Sequence, residues 1–324
     1  MGESDGHPMT RRSNSWMTVL ILIGSTSFAQ IGGAPGAYSR MGFGARGLGM
    51  GNAMTAVVSG DVIGYYNPAV IPLAEYRNAS GSFGLLSLDR TLNYISFTQT
   101  LPPDAGVSAG LINAGVSNID GRDADGEQTG PLKTSEDQVF LGFGLKFRSG
   151  FSFGLNLKIL YYHLYTDFTS VTAGLDFGVL YRVDNALTLG LTVKDVNSKY
   201  KWDSTPLYAE QGTTSQDNFP LLITGGIAYM LPDSIGLISA DIEFSNVRTR
   251  MLRVGAEVPI IREVTVRAGV DRIDLKEKGM GVSPAFGFTI ARGFQGWTPS
   301  ITYVYIIEPF APTGMHLISL GVIF

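Results

Sequence analysis

Residues able to do chemistry are thinly spread along this chain of 324 residues. The densest carboxylate run is Asp120-Gly121-Arg122-Asp123-Ala124-Asp125-Gly126-Glu127, which invites a calcium reading. With Gly126 as the loop's sixth residue, the twelfth, where an EF-hand needs an acid, is Leu132, so the stretch reads as a solvated loop. The histidines, His7, His163 and His316, are too far apart in sequence for a local metal motif. A barrel-wall hydrolase of the kind that pairs His with Ser two positions on is also unsupported, because Tyr165 follows His163 and Ile318 follows His316. Nucleophilic catalysis needs a base and an orienting group within reach of the nucleophile, and no such set is legible. Gly42-x-Gly44-x-x-Gly47 formally matches a dinucleotide fingerprint. That fingerprint requires a preceding strand and an alternating βα context, and neither is present. No Gly-Lys-Ser/Thr follows it, which removes a phosphate-loop reading. With no cysteine there is no thiolate site or disulfide framework. The expectation is a chain without cofactor, metal or enzymatic activity.

What remains is a framework to be explained. Lys and Arg number 24 against 28 Asp and Glu, a net charge of −4, and no Lys/Arg cluster exceeds two adjacent residues, which argues against nucleic acid as a partner. Charged residues are 16% of the chain, below the quarter or so of soluble domains. Apolar residues are 44%, enough to exclude a disordered tail.

The first 29 residues carry the layout of a secretory signal peptide. Arg11 and Arg12 precede the apolar run 16–23, and Ser27-Phe28-Ala29 supplies small residues before Gln30. The run is too short to span a bilayer as a helix. Residues 1–8 read as an extension before a start at Met9, and residues 30–324 as the exported chain.

From Asn78 onward the signal has period two. Phe151, Phe153, Leu155, Leu157, Ile159 and Tyr161 alternate with Ser152, Gly154, Asn156, Lys158, Leu160 and Tyr162. Val171 to Tyr181 repeats the pattern against Thr172, Gly174, Asp176, Gly178 and Arg182. Successive strand side chains point to opposite faces, so each segment has one apolar face and one polar or glycine face. About fourteen such strands follow, near 78–88, 91–101, 104–113, 137–148, 151–164, 170–183, 186–197, 219–231, 235–246, 249–259, 263–272, 282–292, 297–307 and 314–324. Connections such as Ser149-Gly150 and Asp184-Asn185 are tight, whereas 114–136, 165–169, 198–218 and 273–281 are longer. Sorting tight turns to one rim is the signature of an outer-membrane barrel. Only a closed barrel or a helix pairs every backbone group in hydrocarbon.

The expected architecture is therefore all-β: a transmembrane antiparallel barrel of about fourteen strands over 78–324, immersed in outer-membrane lipid. Lys158, Asp176, Arg182, Lys194, Glu257 and Arg267 are expected in the lumen. Tyr161, Tyr165, Tyr303 and Tyr305 are expected in one aromatic girdle, with Phe151, Trp297 and Phe324 in the other.

Residues 30–77 form a separate glycine-rich segment, expected to plug the barrel. Closely spaced glycines let backbone pack tightly in a confined lumen, and Pro68 stiffens a turn. Gly47, Gly49, Gly51, Asn67, Pro68 and Ala69 are the candidate plug or gate residues. Arg40, Arg46 and Asp61 are candidates to pair with lumen acids such as Asp176 or Glu257.

The stretch Gly44-Ala-Arg-Gly-Leu-Gly-Met-Gly-Asn-Ala-Met-Thr-Ala-Val-Val-Ser-Gly-Asp-Val-Ile-Gly-Tyr-Tyr-Asn-Pro-Ala69 resembles the N-terminal motif of the FadL superfamily of outer-membrane barrels, and particularly its PorV/PorQ branch. The resemblance implies that Asn67-Pro68-Ala69 sits in a plug inside the barrel. It also implies that Phe324 ends a strand recognised by barrel assembly machinery. FadL-like members pass hydrophobic compounds, whereas PorV/PorQ-like members serve type IX secretion or surface attachment. The chain lacks a long apolar extracellular loop, which favours the secretion branch, with a translocon and secreted cargo as partners. Tyr200, Trp202 and Tyr208, in the loop 198–218, are then the candidate partner-binding residues. The rival reading is a channel for hydrophobic small molecules.

Overall fold

The computed structural model describes residues 33–60, 64–148, 150–276 and 281–324. Residues 1–29, expected to be a signal peptide, and Asp61 lie outside the described residues. The first wall strands are β1 (Asn78–Leu85), β2 (Arg90–Leu101), β3 (Ala105–Arg122), β4 (Gln128–Lys146), β5 (Phe151–Tyr165), β6 (Phe168–Arg182) and β7 (Leu187–Val196). A short pair, β8 (Lys199–Asp203) and β9 (Thr214–Asn218), follows. The wall resumes with β10 (Leu222–Met230), β11 (Leu237–Ser245), β12 (Arg250–Ile261), β13 (Val264–Asp274), β14 (Ser283–Ala291), β15 (Thr298–Ile306) and β16 (Met315–Ile323).

The fourteen wall strands close into one antiparallel barrel, with β7 pairing directly to β10 and β16 sealing onto β1. Closure leaves no unpaired edge around the ring, the condition for a strand structure in hydrocarbon. Side-chain alternation sorts the faces. On β5 the odd residues from Phe151 to Ile159 are exposed, while Ser152, Asn156, Lys158 and Leu160 are buried. The same apolar exposure recurs on strand after strand. Contiguous apolar surface on this scale has no place in water. Of the charged residues expected in the lumen, Lys158, Asp176 and Arg267 are buried there, with Glu257 and Lys194 partly so. Arg182 is instead exposed, because β6 ends at it on the tight-turn rim.

That rim carries short links such as the one at Asp184, whose Oδ1 accepts the N–H groups of Ala186 and Leu187 at 2.7 Å. Those two donors hold its carboxyl below the usual carboxylate range. On this rim Trp297 packs against Phe324 at 6.1 Å, and Phe151 stacks on Tyr181 at 4.4 Å. Near the other rim Tyr303 meets His316 on the lipid face, its hydroxyl 2.7 Å from Nδ1.

Two expected loops are corrected. Residues 114–136 are not an open loop: β3 and β4 continue through them as a hairpin, with Ile119 opposite Leu132. The apolar alternation fades there because the hairpin has left the lipid, so its two faces no longer differ in solvent. Its tip is closed by Asp123, whose Oδ1 accepts the N–H groups of Asp125 and Glu127. Residues 198–218 are likewise a hairpin, β8 with β9, joined through a short helix at Thr205–Tyr208.

Candidate functional site: a plug seated on lumen glycines

Residues 33–60 and 64–77 lie inside the barrel, where most of their side chains are buried. Three short helical turns give them shape: Ala37–Arg40, Ala45–Gly49 and Pro68–Leu73. Asn67 starts the last of these as its N-cap, accepting the Ala69 N–H at 2.9 Å, with Pro68 in the first position. Its amide nitrogen donates to the Thr55 carbonyl at 2.7 Å and reaches the Val179 carbonyl on β6 at 3.4 Å. One fully buried side chain thus joins two plug segments and the wall. Gly47, Gly49 and Gly51 are points of close approach. A Cβ would lie 2.3 Å from the Tyr66 hydroxyl at Gly47, 2.7 Å from Arg267 Cδ at Gly49 and 2.5 Å from the Val270 nitrogen at Gly51.

The seats on the wall are the residues the sequence reading missed. Gly106, Gly144, Gly154 and Gly178 stand directly opposite one another across β3, β4, β5 and β6. Together they form a row without side chains, and the Asn67–Pro72 turn lies in it. A Cβ would be 2.1 Å from the Pro68 carbonyl carbon at Gly154 and 2.1 Å from Asn67 Oδ1 at Gly178. A second seat, Gly190 opposite Gly226 on β7 and β10, receives Thr55. A third, Gly255 opposite Gly269 on β12 and β13, receives the Met50–Gly51 peptide. The available signal was the recurrence of glycine on the non-lipid alternates of the strands.

Ion pairs lock what the glycines seat. Arg46 of the plug forks onto Glu257 of β12, at 2.9 and 3.0 Å, and Arg267 of β13 shares the same carboxylate at 3.0 Å. Arg253 lies between Glu243 at 3.0 Å and Asp271 at 2.8 Å, and Asp271 also accepts from the plug's Asn52 at 2.9 Å. The Thr55 N–H donates to Asp241 at 3.0 Å. Lys158 is held between Asp176 and Asp195. Of the pairings expected for the plug, Arg46 to Glu257 is therefore present. Arg40 instead donates to the carbonyls of Ala34, Pro35 and Gly36, while Asp176 pairs with Lys158. Buried ion pairs contribute little net stability but cost several kcal/mol when one partner is lost. Most of these lumen charges are paired with one another, whereas Lys194 lies over the Tyr65 ring, 4.3 Å from its centroid.

The mouth opposite the tight turns is covered by β8 and β9. Asp195 and Asn197 both have φ near +60°, at 62° and 58°. Left-handed residues of this kind are tolerated best by Asn and Asp. They turn the chain inward, so β8 lies on the lumen side of β6, where the Lys201 N–H donates to Ser170 Oγ at 2.8 Å. Tyr200 and Trp202, expected to meet partners, are 2% and 6% exposed and pack with Tyr162, Phe168 and Phe219. Burial pushes the Tyr200 hydroxyl above the usual phenol range, so it stays a donor to Glu136. Tyr208 alone of the three faces solvent, at 64%. Trp202→Ala removes a ring stacked on Phe168 at 4.9 Å. It is expected to loosen this cover by about 3–5 kcal/mol, seen as faster amide exchange confined to 199–218.

At the tight-turn end the lumen opens into a cavity of about 320 Å³. Its floor is the Arg46, Glu257 and Arg267 group, and Thr265, Thr289, Ser300 and Thr302 line its wall. Asn67→Ala is expected to cost about 1–2 kcal/mol for the lost cap, and it further orphans the buried Thr55 carbonyl. Thermal melts of the refolded barrel check this. Among the described residues no His, Asp or Glu group is arranged to hold a metal.

No family model matches the chain, and no curated protein does. Solved structures do. The CymD monoaromatic hydrocarbon channel superposes with a TM-score of 0.65 at 11% identity, over 87% of this chain and 97% of that one. The Pseudomonas putida toluene transporter TodX gives 0.60 at 13% identity, over 87% and 96%. A Pseudomonas aeruginosa FadL homologue gives 0.58 at 11% identity, over 85% and 97%. The fold is that of FadL-like barrels.

Proposed function

We propose that this chain is an outer-membrane channel for small apolar molecules, gated by the plug formed by residues 33–77. The observation that carries the reading is the agreement with hydrocarbon channels over nearly their whole length. The way the plug is held adds to it. The plug rests on glycine seats, ion pairs and an apolar core that Phe43, Leu48 and Met50 share with wall residues such as Tyr94, Ile112 and Leu317, while the wall strands close through their own ladders, so the plug can shift without opening the ring. Uptake of a labelled monoaromatic hydrocarbon by cells with and without the gene tests this. Loss of uptake on deletion, restored by the intact chain, supports the reading. Normal uptake together with loss of surface-attached proteins would overturn it.

That second outcome is what the secretion reading expects. A specific observation favours it: residues 44–69 resemble the PorV/PorQ motif. The tall β3–β4 hairpin, with strands of 18 and 19 residues, would then stand as a docking arm above the membrane for secreted proteins.

A further inference from the structure

The plug meets the wall differently on its two sides. On β3 to β6 it lies in the glycine row, whereas on β12 to β15 it leaves the cavity at the tight-turn end in front of a row of hydroxyl residues. Thr265, Thr289 and Thr302 stand directly opposite one another across β13, β14 and β15, and Ser319 of β16 and Ser82 of β1 carry the row on. Part of this row is already engaged. Thr289 Oγ1 accepts from Arg267 Nη1 at 2.8 Å and lies 2.8 Å from Thr302 Oγ1, and Ser319 accepts the plug's Ala45 N–H at 2.8 Å. Thr265 and, one step nearer the rim, Ser300 make no side-chain hydrogen bond among the described residues, and both line the cavity.

The floor of the cavity presents one charge above the others. The Glu257 side chain is 14% exposed, against 6% for Arg46 and 2% for Arg267, so the carboxylate is what a ligand meets. Its Oε2 accepts from Arg46 Nε, Arg267 Nε and Arg267 Nη2, whereas Oε1 accepts only from Arg46 Nη2. A carboxylate oxygen has two lone-pair sites, so Oε1 has room for a second donor. The remaining walls are apolar, with Met230, Leu237, Pro259 and Ile323. At about 320 Å³ the space is that of a small-ligand pocket. An anion would meet the carboxylate first. A plain hydrocarbon would displace water from Oε1 and the hydroxyls without replacing its hydrogen bonds, which loses affinity. We propose that this cavity binds phenols, the ligand hydroxyl donating to Glu257 Oε1 and accepting from Thr265 or Ser300 while the ring lies on the apolar walls. A phenol ionises near pH 10, so it enters neutral. The inference rests on the channel reading for the apolar ring and adds that the inner end of the lumen selects for a hydroxyl.

The test titrates the full chain in phosphatidylcholine nanodiscs with para-fluorophenol and para-fluorotoluene, which differ by a hydroxyl against a methyl. Fluorine NMR reads the binding, with the signal of empty nanodiscs subtracted. A hydrogen bond to a charged group is worth a factor of roughly ten to a hundred, so the wild-type chain is expected to hold the fluorophenol at least about tenfold more tightly. Thr265→Val with Ser300→Ala is expected to weaken the fluorophenol by about tenfold and leave the fluorotoluene unchanged. Ala291→Phe, which fills the cavity from β14, removes the specific fluorophenol signal. The wild-type preference is read without any variant. Equal affinity for the two probes, or fluorophenol binding that survives Ala291→Phe, would overturn the proposal. Equal affinity with gene-dependent hydrocarbon uptake would remove this site and leave the channel reading standing. Selective fluorophenol binding without such uptake would do the reverse.

Discussion

In planar bilayers the Gly154→Ala variant is expected to conduct where the wild-type barrel stays shut. The reasoning is geometric. A methyl at this position lies 2.1 Å from the Pro68 carbonyl carbon and 2.5 Å from the Ala69 nitrogen. Both are main-chain atoms of a turn fixed by proline and by the Asn67 cap, so no side chain can swing aside. Overpacking a well-filled site costs about 1–3 kcal/mol, and here the strain falls on the plug, because the wall strand is held by ladders on both sides. Gly178→Ala presses on Asn67 Oδ1 in the same row and should act in the same direction. Gly81→Ala is the control. It is a strand glycine of β1 whose nearest neighbour to a new Cβ is 3.8 Å away, and it should leave conductance unchanged. Equal conductance from Gly154→Ala and Gly81→Ala would mean that the row is not what seats the plug.

The barrel was legible because a membrane wall writes the same constraint on every strand. Phe153, Leu155 and Leu157 must be apolar wherever they stand along β5, and this repetition made all fourteen wall strands readable. The extensions of β3 and β4 were not readable, since outside lipid the two strand faces meet the same solvent and alternation carries no free energy. The inward turn of β8 was hidden for another reason. It depends on two left-handed residues, Asp195 and Asn197, whose types are as common in ordinary loops. Tyr200 and Trp202 therefore looked like exposed loop aromatics although they fill the mouth. The plug residues could be named from glycine spacing and Asn67-Pro68, but their seats could not. A glycine on the lumen alternate of a strand has the same letter whether it faces water or receives a backbone. Only the register that aligns Gly106, Gly144, Gly154 and Gly178 turns four separate gaps into one groove.

Glu257→Gln should release the plug from the opposite side of the lumen. Its carboxylate accepts Arg46 Nε at 2.9 Å and Nη2 at 3.0 Å, and Arg267 Nη2 at 3.0 Å. The amide keeps one accepting oxygen but turns an N–H₂ donor toward a guanidinium and removes the charge shared by both. Two buried cations lose the carboxylate between them, and breaking a buried pair in this way costs about 3–5 kcal/mol. The cost should appear as plug release, because Arg46 is the only member of the trio on the plug while β12 and β13 remain paired. The chain has no cysteine, so a single Met50→Cys substitution is a clean reporter at a position fully buried against Gly255 and Gly269. Maleimide labelling of that thiol is expected to rise by a factor of about a hundred or more in the Glu257→Gln background, with strand content by circular dichroism unchanged. Replacing Arg46, Glu257 and Arg267 together by Met, Leu and Met removes the stranded charges and should recover much of the protection. A lower melting temperature without faster labelling would show that the trio braces the wall and leaves the plug indifferent.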